Sequence, residues 1–277
     1  YTDSFGDQWN KFSQTQIDNR INSHSYERFF NETGLSKKDF SNKNILEIGS
    51  GAGRFTNIML DHTEGNIYSV DSSNSVFANY KNNKKHINDR LYLYKASIYD
   101  LPFEKSQFDI VICFGVLQHT PDIKKSIKCL CEQVKKNGLL IIDFYPYNGF
   151  WTLINAKYIL RPLTKKMSVK SLEKFFKNKI NILIKIYFFL EKLKLGFLNR
   201  FLPIPDIKKT IPINVGQKLL REMVLLDTID MFSPKFDKPQ KIKKIKNLIF
   251  EHNFSIIFAG KIKYNSYIST VIRGKKN

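Results

Sequence analysis

Ile45-Leu46-Glu47-Ile48-Gly49-Ser50-Gly51-Ala52-Gly53-Arg54 decides the fold. Its first four residues read as a short buried strand. Three glycines at alternate positions follow, and a helical stretch opens at Arg54 and runs to about Asp61. Glycine permits the tight turn and lets a ligand approach the backbone closely.

Outward from this loop, buried strands alternate with helices. Asn66–Val70 is a strand ending at Asp71, followed by a helix over about Ser73–Tyr80 and a strand at Leu91–Tyr94. Phe108–Phe114 is the next strand, Ile123 to about Lys136 a helix, and Leu139–Tyr145 a fifth strand. That alternation predicts an α/β, doubly wound, mostly parallel sheet. It breaks over residues 150–236, which are rich in Lys, Leu, Ile and Phe at helical spacing. It then resumes with a helix at Lys241–Glu251 and two strands, Phe254–Ala259 and Tyr267–Arg273. A short polar link joins those two, so they are expected as an antiparallel hairpin at one edge of a seven-stranded sheet. Before the glycine loop, Phe5, Trp9 and Phe12, then Ile17, Ile21, Tyr26, Phe29 and Phe30 predict two short helices. The expected organisation is a helical cap at 1–40, a core from 41–147 with 238–277, and an inserted basic helical lobe at 148–237. The chain opens on Tyr1 without Met, which fits a trimmed or processed start.

Two ligand classes compete for the glycine loop. A dinucleotide fingerprint would place a third glycine where Arg54 stands, so a pyrophosphate is disfavoured. Glu47 in the strand also argues against an anion and suits a cationic amine. Asp71 ends the next strand, where an acid accepts both ribose hydroxyls. A ligand with a ribose at one end and an amino acid at the other is S-adenosylmethionine.

ILEIGSGAGRF, Asp71 and the stretch DLPFEKSQFDIVICFGVLQHTPD together resemble class I S-adenosylmethionine-dependent methyltransferases of the small-molecule type, over roughly residues 40–147. The resemblance implies a Rossmann-like fold and its strand order. It implies that Glu47, Gly49, Ser50, Gly51 and Gly53 line the methionine and ribose side of the cofactor. Asp71, with Ser72 beside it, would bind the ribose hydroxyls. Ser97 and Ile98 align with the adenine contact, where many relatives have Asp in place of Ser97. Phe114 and Gly115 align with the segment facing the methyl group. The product would be S-adenosylhomocysteine. FGDQWNKF and LDTIDMFSPKFD further resemble bacterial methyltransferases often encoded near surface-polysaccharide genes.

Each residue also has a plain structural reading. The glycines make a strand-to-helix turn, Asp71 caps a helix, Ser97 serves a turn, and Phe114 fills core. Methyl transfer to a hydroxyl needs a base near the carboxyl ends of the fourth and fifth strands. His119, in Gly115-Val116-Leu117-Gln118-His119, is the candidate base, against the alternative that it only orders its loop. Tyr145, Tyr147, Asn148, Gln8, Trp9, Asp230 and Lys235 are secondary candidates.

Composition bounds the partners. The 277 residues are 42% hydrophobic, enough for a sizeable core, and carry a net charge of +20. Residues 1–150 hold 18 Lys/Arg against 17 Asp/Glu, and residues 151–277 hold 27 against 8. Such asymmetry suits an anionic acceptor such as a nucleotide-sugar or lipid-linked saccharide, with peripheral contact to an anionic membrane. A solvated helix face is the plain alternative. The expected location is the cytoplasm, at the inner face of the membrane. Cys113, Cys129 and Cys131 form no disulfide framework and no C-x-x-C, so no metal is expected. The strand ending CFGVLQH lacks the Asn/Asp-Pro-Pro-Tyr/Phe pattern of nucleobase amino-group methylation, which leaves RNA as the alternative target rather than the leading one. A cofactor-fold partner subunit without activity is the third class.

Overall fold

In the computed structural model, residues 6, 10–13, 17, 24–211, 215–264 and 267–277 are described. They form two compact units, 147–235 and a sheet unit comprising 2–146 with 236–277. The sheet unit contains β1 (Asn44–Ile48), β2 (Asn66–Asp71), β3 (Leu91–Lys95), β4 (Phe108–Cys113), β5 (Val134–Asp143), β6 (Phe254–Tyr264) and β7 (Tyr267–Lys276). Their order is β3-β2-β1-β4-β5-β7-β6. The first five are parallel, with Ile45 opposite Ile67 and Ile110. β7 runs antiparallel to both β5 and β6. The doubly wound sheet with its carboxy-terminal hairpin is therefore present, and β1 and β4 meet at its middle, where strand order reverses.

Both faces of the sheet are covered, which is why its strands read as nearly continuous apolar runs. On one face Leu46, Ile48, Val111, Cys113, Leu140 and Ile142 pack beneath α4 (Ile123–Gln133) and α11 (Ile242–Phe250). On the other, Ile45, Ile67, Ile110, Ile112 and Ile141 meet α1 (His24–Thr33) and α2 (Arg54–His62). Successive strand residues thus enter opposite layers.

Three boundaries differ from expectation, each for a local reason. The helix after β2, α3, begins at Val76 and ends at Asn83, later than the Ser73 start. Asp71 Oδ1 accepts hydrogen bonds from Ser73 N (2.8 Å) and Ser73 Oγ (2.7 Å), and Ser75 N donates to Ser73 Oγ, so the serines serve a side-chain turn instead. β5 begins at Val134, directly after α4, because Val134 pairs with Phe108 before the register shifts ahead of Leu139 opposite Ile110. β6 continues to Tyr264, which pairs with Tyr267. The lysines that suggested a link, Lys261 and Lys263, alternate with Ile262 along this edge strand.

The unit 147–235 is helical: α5 (Phe150–Leu153), α6 (Ala156–Thr164), α7 (Val169–Lys177), α8 (Ile180–Lys192), α9 (Ile207–Thr210) and α10 (Gln217–Phe232). α6, α7 and α8 pack on α10. Phe176 stacks on Phe232 with ring centroids 5.5 Å apart. Arg161 donates to the carbonyls of Met231 (2.9 Å) and Pro234 (2.7 Å), satisfying acceptors at the α10 terminus.

Candidate functional site

The glycine loop after β1 is built around left-handed backbone. Gly49, Gly51 and Gly53 have φ of 79°, 54° and 84°. A Cβ on Gly49 would come within 2.0 Å of Val116 Cγ2, and one on Gly53 within 2.2 Å of Asn79 Oδ1. The loop is closed by β2: Gly49 N donates to Val70 O, and Gly51 N donates to Asp71 Oδ2 at 2.9 Å. Ser50 Oγ is buried and has no hydrogen-bond partner. An orphaned hydroxyl in a glycine-lined turn is the mark of a cradle completed by a ligand.

Asp71 holds the loop and the following turn at once. Each carboxylate oxygen has two acceptor directions; Ser73 takes both on Oδ1 and Gly51 takes one on Oδ2, which leaves one direction on Oδ2 for a sugar hydroxyl. Ser72 is half-buried beside it. Asn82 Nδ2 donates both to Ala52 O (2.8 Å) and to Ser13 O (3.0 Å), tying this part of the amino-terminal segment to the loop. Gln8 and Trp9 lie outside the described residues.

Glu47 is buried at 3% exposure. Its Oε2 accepts from Thr56 Oγ1 at 2.5 Å and Ser69 Oγ at 2.8 Å, and Asn79 donates to both hydroxyls. Burial pushes the Glu47 carboxyl up to about 7, against the opposing pull of those two hydrogen bonds. Among the described residues no cation pairs with it, and a desolvated carboxylate of this kind is the complement of an ammonium group.

Farther along the carboxyl edge, Phe114 is buried and sits edge-on to Phe55 at 5.5 Å. Gly115 follows at φ 72°, and a Cβ there would meet nothing within 4 Å. This opening at the end of β4 faces no steric obstacle. Ser97 Oγ accepts from Tyr99 N at 3.2 Å, so it serves its own turn, and Ile98 lies in the core beneath the sheet. His119 occupies a 3-10 turn, 6% exposed. Its Nδ1 lies 3.0 Å from the carbonyl of Phe236. A carbonyl only accepts, so Nδ1 carries the proton and Nε2 is the basic nitrogen. Tyr145 stands edge-on to the ring at 5.8 Å. Gln118, next to it, is 1% exposed, and both its amide atoms lack partners. Tyr147, Asn148, Asp230 and Lys235 belong to the helical unit.

Sequence reasoning missed a buried charge network. Arg28 of α1 donates to Asp143 Oδ2 (2.6 Å) and Glu32 Oε1 (2.9 Å). Asp143 Oδ1 accepts from Gly115 N at 2.5 Å. Tyr264 donates to Glu32 at 3.0 Å, and Ser269 bonds the same oxygen. Burial alone would lower Arg28, but the facing carboxylates of Glu32 and Asp143 outweigh it and hold the guanidinium charged. Burial raises Asp143 to about 6, aided by the Glu32 charge and opposed by Arg28. The available signal was an acid closing the otherwise apolar run Leu139-Leu140-Ile141-Ile142. Among the described residues no group of three His, Cys, Asp or Glu side chains is placed to hold a metal.

The sequence and the fold both have counterparts among known proteins. Residues 46–142 match the methyltransferase domain family. The chain is 26% identical over 126 residues to a ubiquinone biosynthesis O-methyltransferase of Coxiella burnetii, covering 44% of this chain and 53% of that protein. It is 28% identical over 157 residues to the protein of the same name from Rickettsia typhi, covering 55% and 62%. The chain thus spans about half the length of the curated relatives it matches. Among solved structures, magnesium protoporphyrin IX methyltransferase from Synechocystis with bound SAM superposes with a TM-score of 0.54 at 13% identity, covering 100% of this chain and 94% of that one. At that identity the likeness is one of fold. The matched stretch runs from β1 to β5 and takes in the glycine loop, Asp71 and His119.

Proposed function

We propose that this protein is an S-adenosylmethionine-dependent methyltransferase that transfers the methyl group to a hydroxyl of a small, anionic acceptor. The observation that carries the reading is the cluster at the carboxyl ends of β1 and β2: a three-glycine turn with an unpaired Ser50 hydroxyl, the buried Glu47 of β1, and Asp71 at the end of β2 bonded to the Gly51 amide. Glu47 would receive the cofactor's ammonium, Asp71 and Ser72 its ribose hydroxyls, and the glycine backbone its methionine arm. Ser97 and Ile98 would border the adenine, with Ile98 backing it from the core as an apolar wall. Phe114 and the open space at Gly115 would border the reacting methyl. When bound, the cofactor supplies an electrophilic methyl on a good leaving group. The chain's own task is to align the acceptor and take its proton, and His119 Nε2 is the group for that proton.

Relatives named O-methyltransferases support oxygen as the acceptor atom. The 17 Lys/Arg against 6 Asp/Glu in residues 147–235 favour an acceptor carrying phosphate, such as a nucleotide-sugar or lipid-linked saccharide. A phenolic hydroxyl, as the relatives' name suggests, is the second reading. Calorimetry with S-adenosylhomocysteine tests the cofactor. Methyl transfer to a panel of nucleotide-sugars, lipid-linked saccharides and polyprenylated phenols tests the acceptor. Absence of cofactor binding would overturn the enzymatic reading, and transfer only to a phenol would replace the sugar.

A further inference from the structure

Helix α8 is apolar on two opposite faces. Ile180 and Tyr187 are buried within the helical unit. On the other side Ile182 (59% exposed), Ile186 (38%), Phe189 (59%) and Leu193 (50%) project outward. Their spacing of four, three and four residues places them in one stripe along the helix. Lys185 and Lys192, both exposed, lie seven residues apart along one border of that stripe.

The apolar surface continues past the helix. Phe197 is 68% exposed on the 3-10 turn Gly196–Phe201. From the same turn Arg200 donates to the carbonyls of Trp151 (2.6 Å) and Ile154 (2.7 Å). Its guanidinium lies over the Trp151 ring at 5.3 Å, which fixes this 66%-exposed indole beside the turn. A soluble surface rarely gathers so many large side chains without a partner.

We propose that this outward face of the unit 147–235 docks on an anionic phospholipid bilayer. α8 lies in the interfacial plane, its stripe facing the acyl chains and its bordering lysines facing headgroup phosphates. Three observations select this occupant. The unit is strongly basic, with 17 Lys/Arg against 6 Asp/Glu, so a second copy of the same face would bring like charges together. Three of the four stripe residues, Ile182, Ile186 and Leu193, are aliphatic and Phe189 is the stripe's one ring, a composition that suits acyl chains better than a run of stacked nucleobases. No helix among the described residues is long and apolar enough to cross a membrane, so α8 is an interfacial rather than a spanning element. Docking is read without methyl transfer, so its failure and the failure of the enzymatic reading are separate results.

The test is flotation of the full chain with vesicles of phosphatidylcholine alone or mixed with phosphatidylglycerol, at low salt. Binding is expected only with the anionic lipid. Lys185→Gln with Lys192→Gln should weaken it about 25-fold, since one lysine near an anionic surface contributes about fivefold. Phe189→Ser with Leu193→Ser should weaken it about tenfold or more while leaving the circular dichroism spectrum intact. In the unsubstituted chain, lipids brominated on the acyl chains should quench tryptophan fluorescence, and Trp151→Phe should abolish most of that quenching. No flotation with anionic vesicles overturns the proposal. So does flotation that the stripe variant leaves unchanged. Dimerisation lost in the stripe variant without lipid binding assigns the face to a second copy, and salt-sensitive RNA binding without lipid binding assigns it to RNA. Either outcome overturns the bilayer.

Discussion

Glu47 should make cofactor binding pH-dependent. Burial pushes its carboxyl up to about 7 from an ordinary value of 4.5. That difference corresponds to about 3 kcal/mol of disfavour toward the charged form. The raised value means that the folded protein binds a proton here more tightly than the unfolded chain. This group's contribution to stability is therefore fully present below 4.5 and is lost as pH rises through about 7. A cofactor ammonium beside the carboxylate reverses the preference and draws Glu47 into its ionised form. Binding at about pH 6 should then release about one proton, and binding at about pH 8 close to none. Affinity should be about tenfold weaker at the lower pH, because about one site in ten is already ionised there. Calorimetry with S-adenosylhomocysteine in buffers of different ionisation enthalpy counts the protons directly. Glu47→Gln should remove the release and flatten the affinity profile. Asp143 also titrates near 6, so the difference between wild type and Glu47→Gln is the decisive quantity. Equal proton release in the two proteins would refute the pairing of Glu47 with the ammonium.

Gly49→Ala should lower stability by about 2 kcal/mol or more, measured by urea denaturation, since it combines a φ of 79° with a Cβ 2.0 Å from Val116 Cγ2. Adding Val116→Ala should recover part of that loss, because it removes the clashing Cγ2 and leaves the backbone strain and a close contact with Val116 Cβ at 3.3 Å. Asp71→Ala should cost both loop stability and cofactor affinity, the latter by about a hundredfold, whereas loss of stability with unchanged affinity would reduce Asp71 to a loop clamp. Arg28→Met should cost about 3–5 kcal/mol by leaving two buried carboxylates unpaired, and Asp143→Asn in the same chain should restore part of it. His119→Ala should slow single-turnover methyl transfer by about a hundredfold or more with cofactor affinity preserved; an unchanged chemical step removes His119 as base.

The sheet was legible because strands buried on both faces show as runs such as Ile45–Ile48 and Phe108–Cys113, and because glycine at alternate positions has few other uses. The neighbourhood of Glu47, Gly49 and Asp71 followed from strand order, since adjacent parallel strands place their carboxyl ends together. Arg28 and Asp143 were illegible as a pair because 115 residues separate them and α1 carries no motif. Glu32 had a local hint in its four-residue spacing from Arg28, but nothing in that spacing announces Tyr264 or Ser269 as its partners. The late start of α3 depended on whether Ser73 and Ser75 would bond side chain or helix backbone, a competition that composition leaves balanced. The lysines of β6 looked like a link because an edge strand tolerates charge that a central strand excludes.

The place of β7 has a consequence for biosynthesis. This strand covers β5 along Leu139–Asp143, yet it is translated only after the entire helical unit. While the ribosome makes the intervening residues, the nascent five-stranded half presents an apolar strand with unsatisfied amides and carbonyls along one margin. Such a margin invites strand exchange with a neighbouring polypeptide. Shortening the carboxy-terminal hairpin would keep the margin open in the finished protein, so aggregation on expression, more than loss of any one contact, is the outcome to watch for.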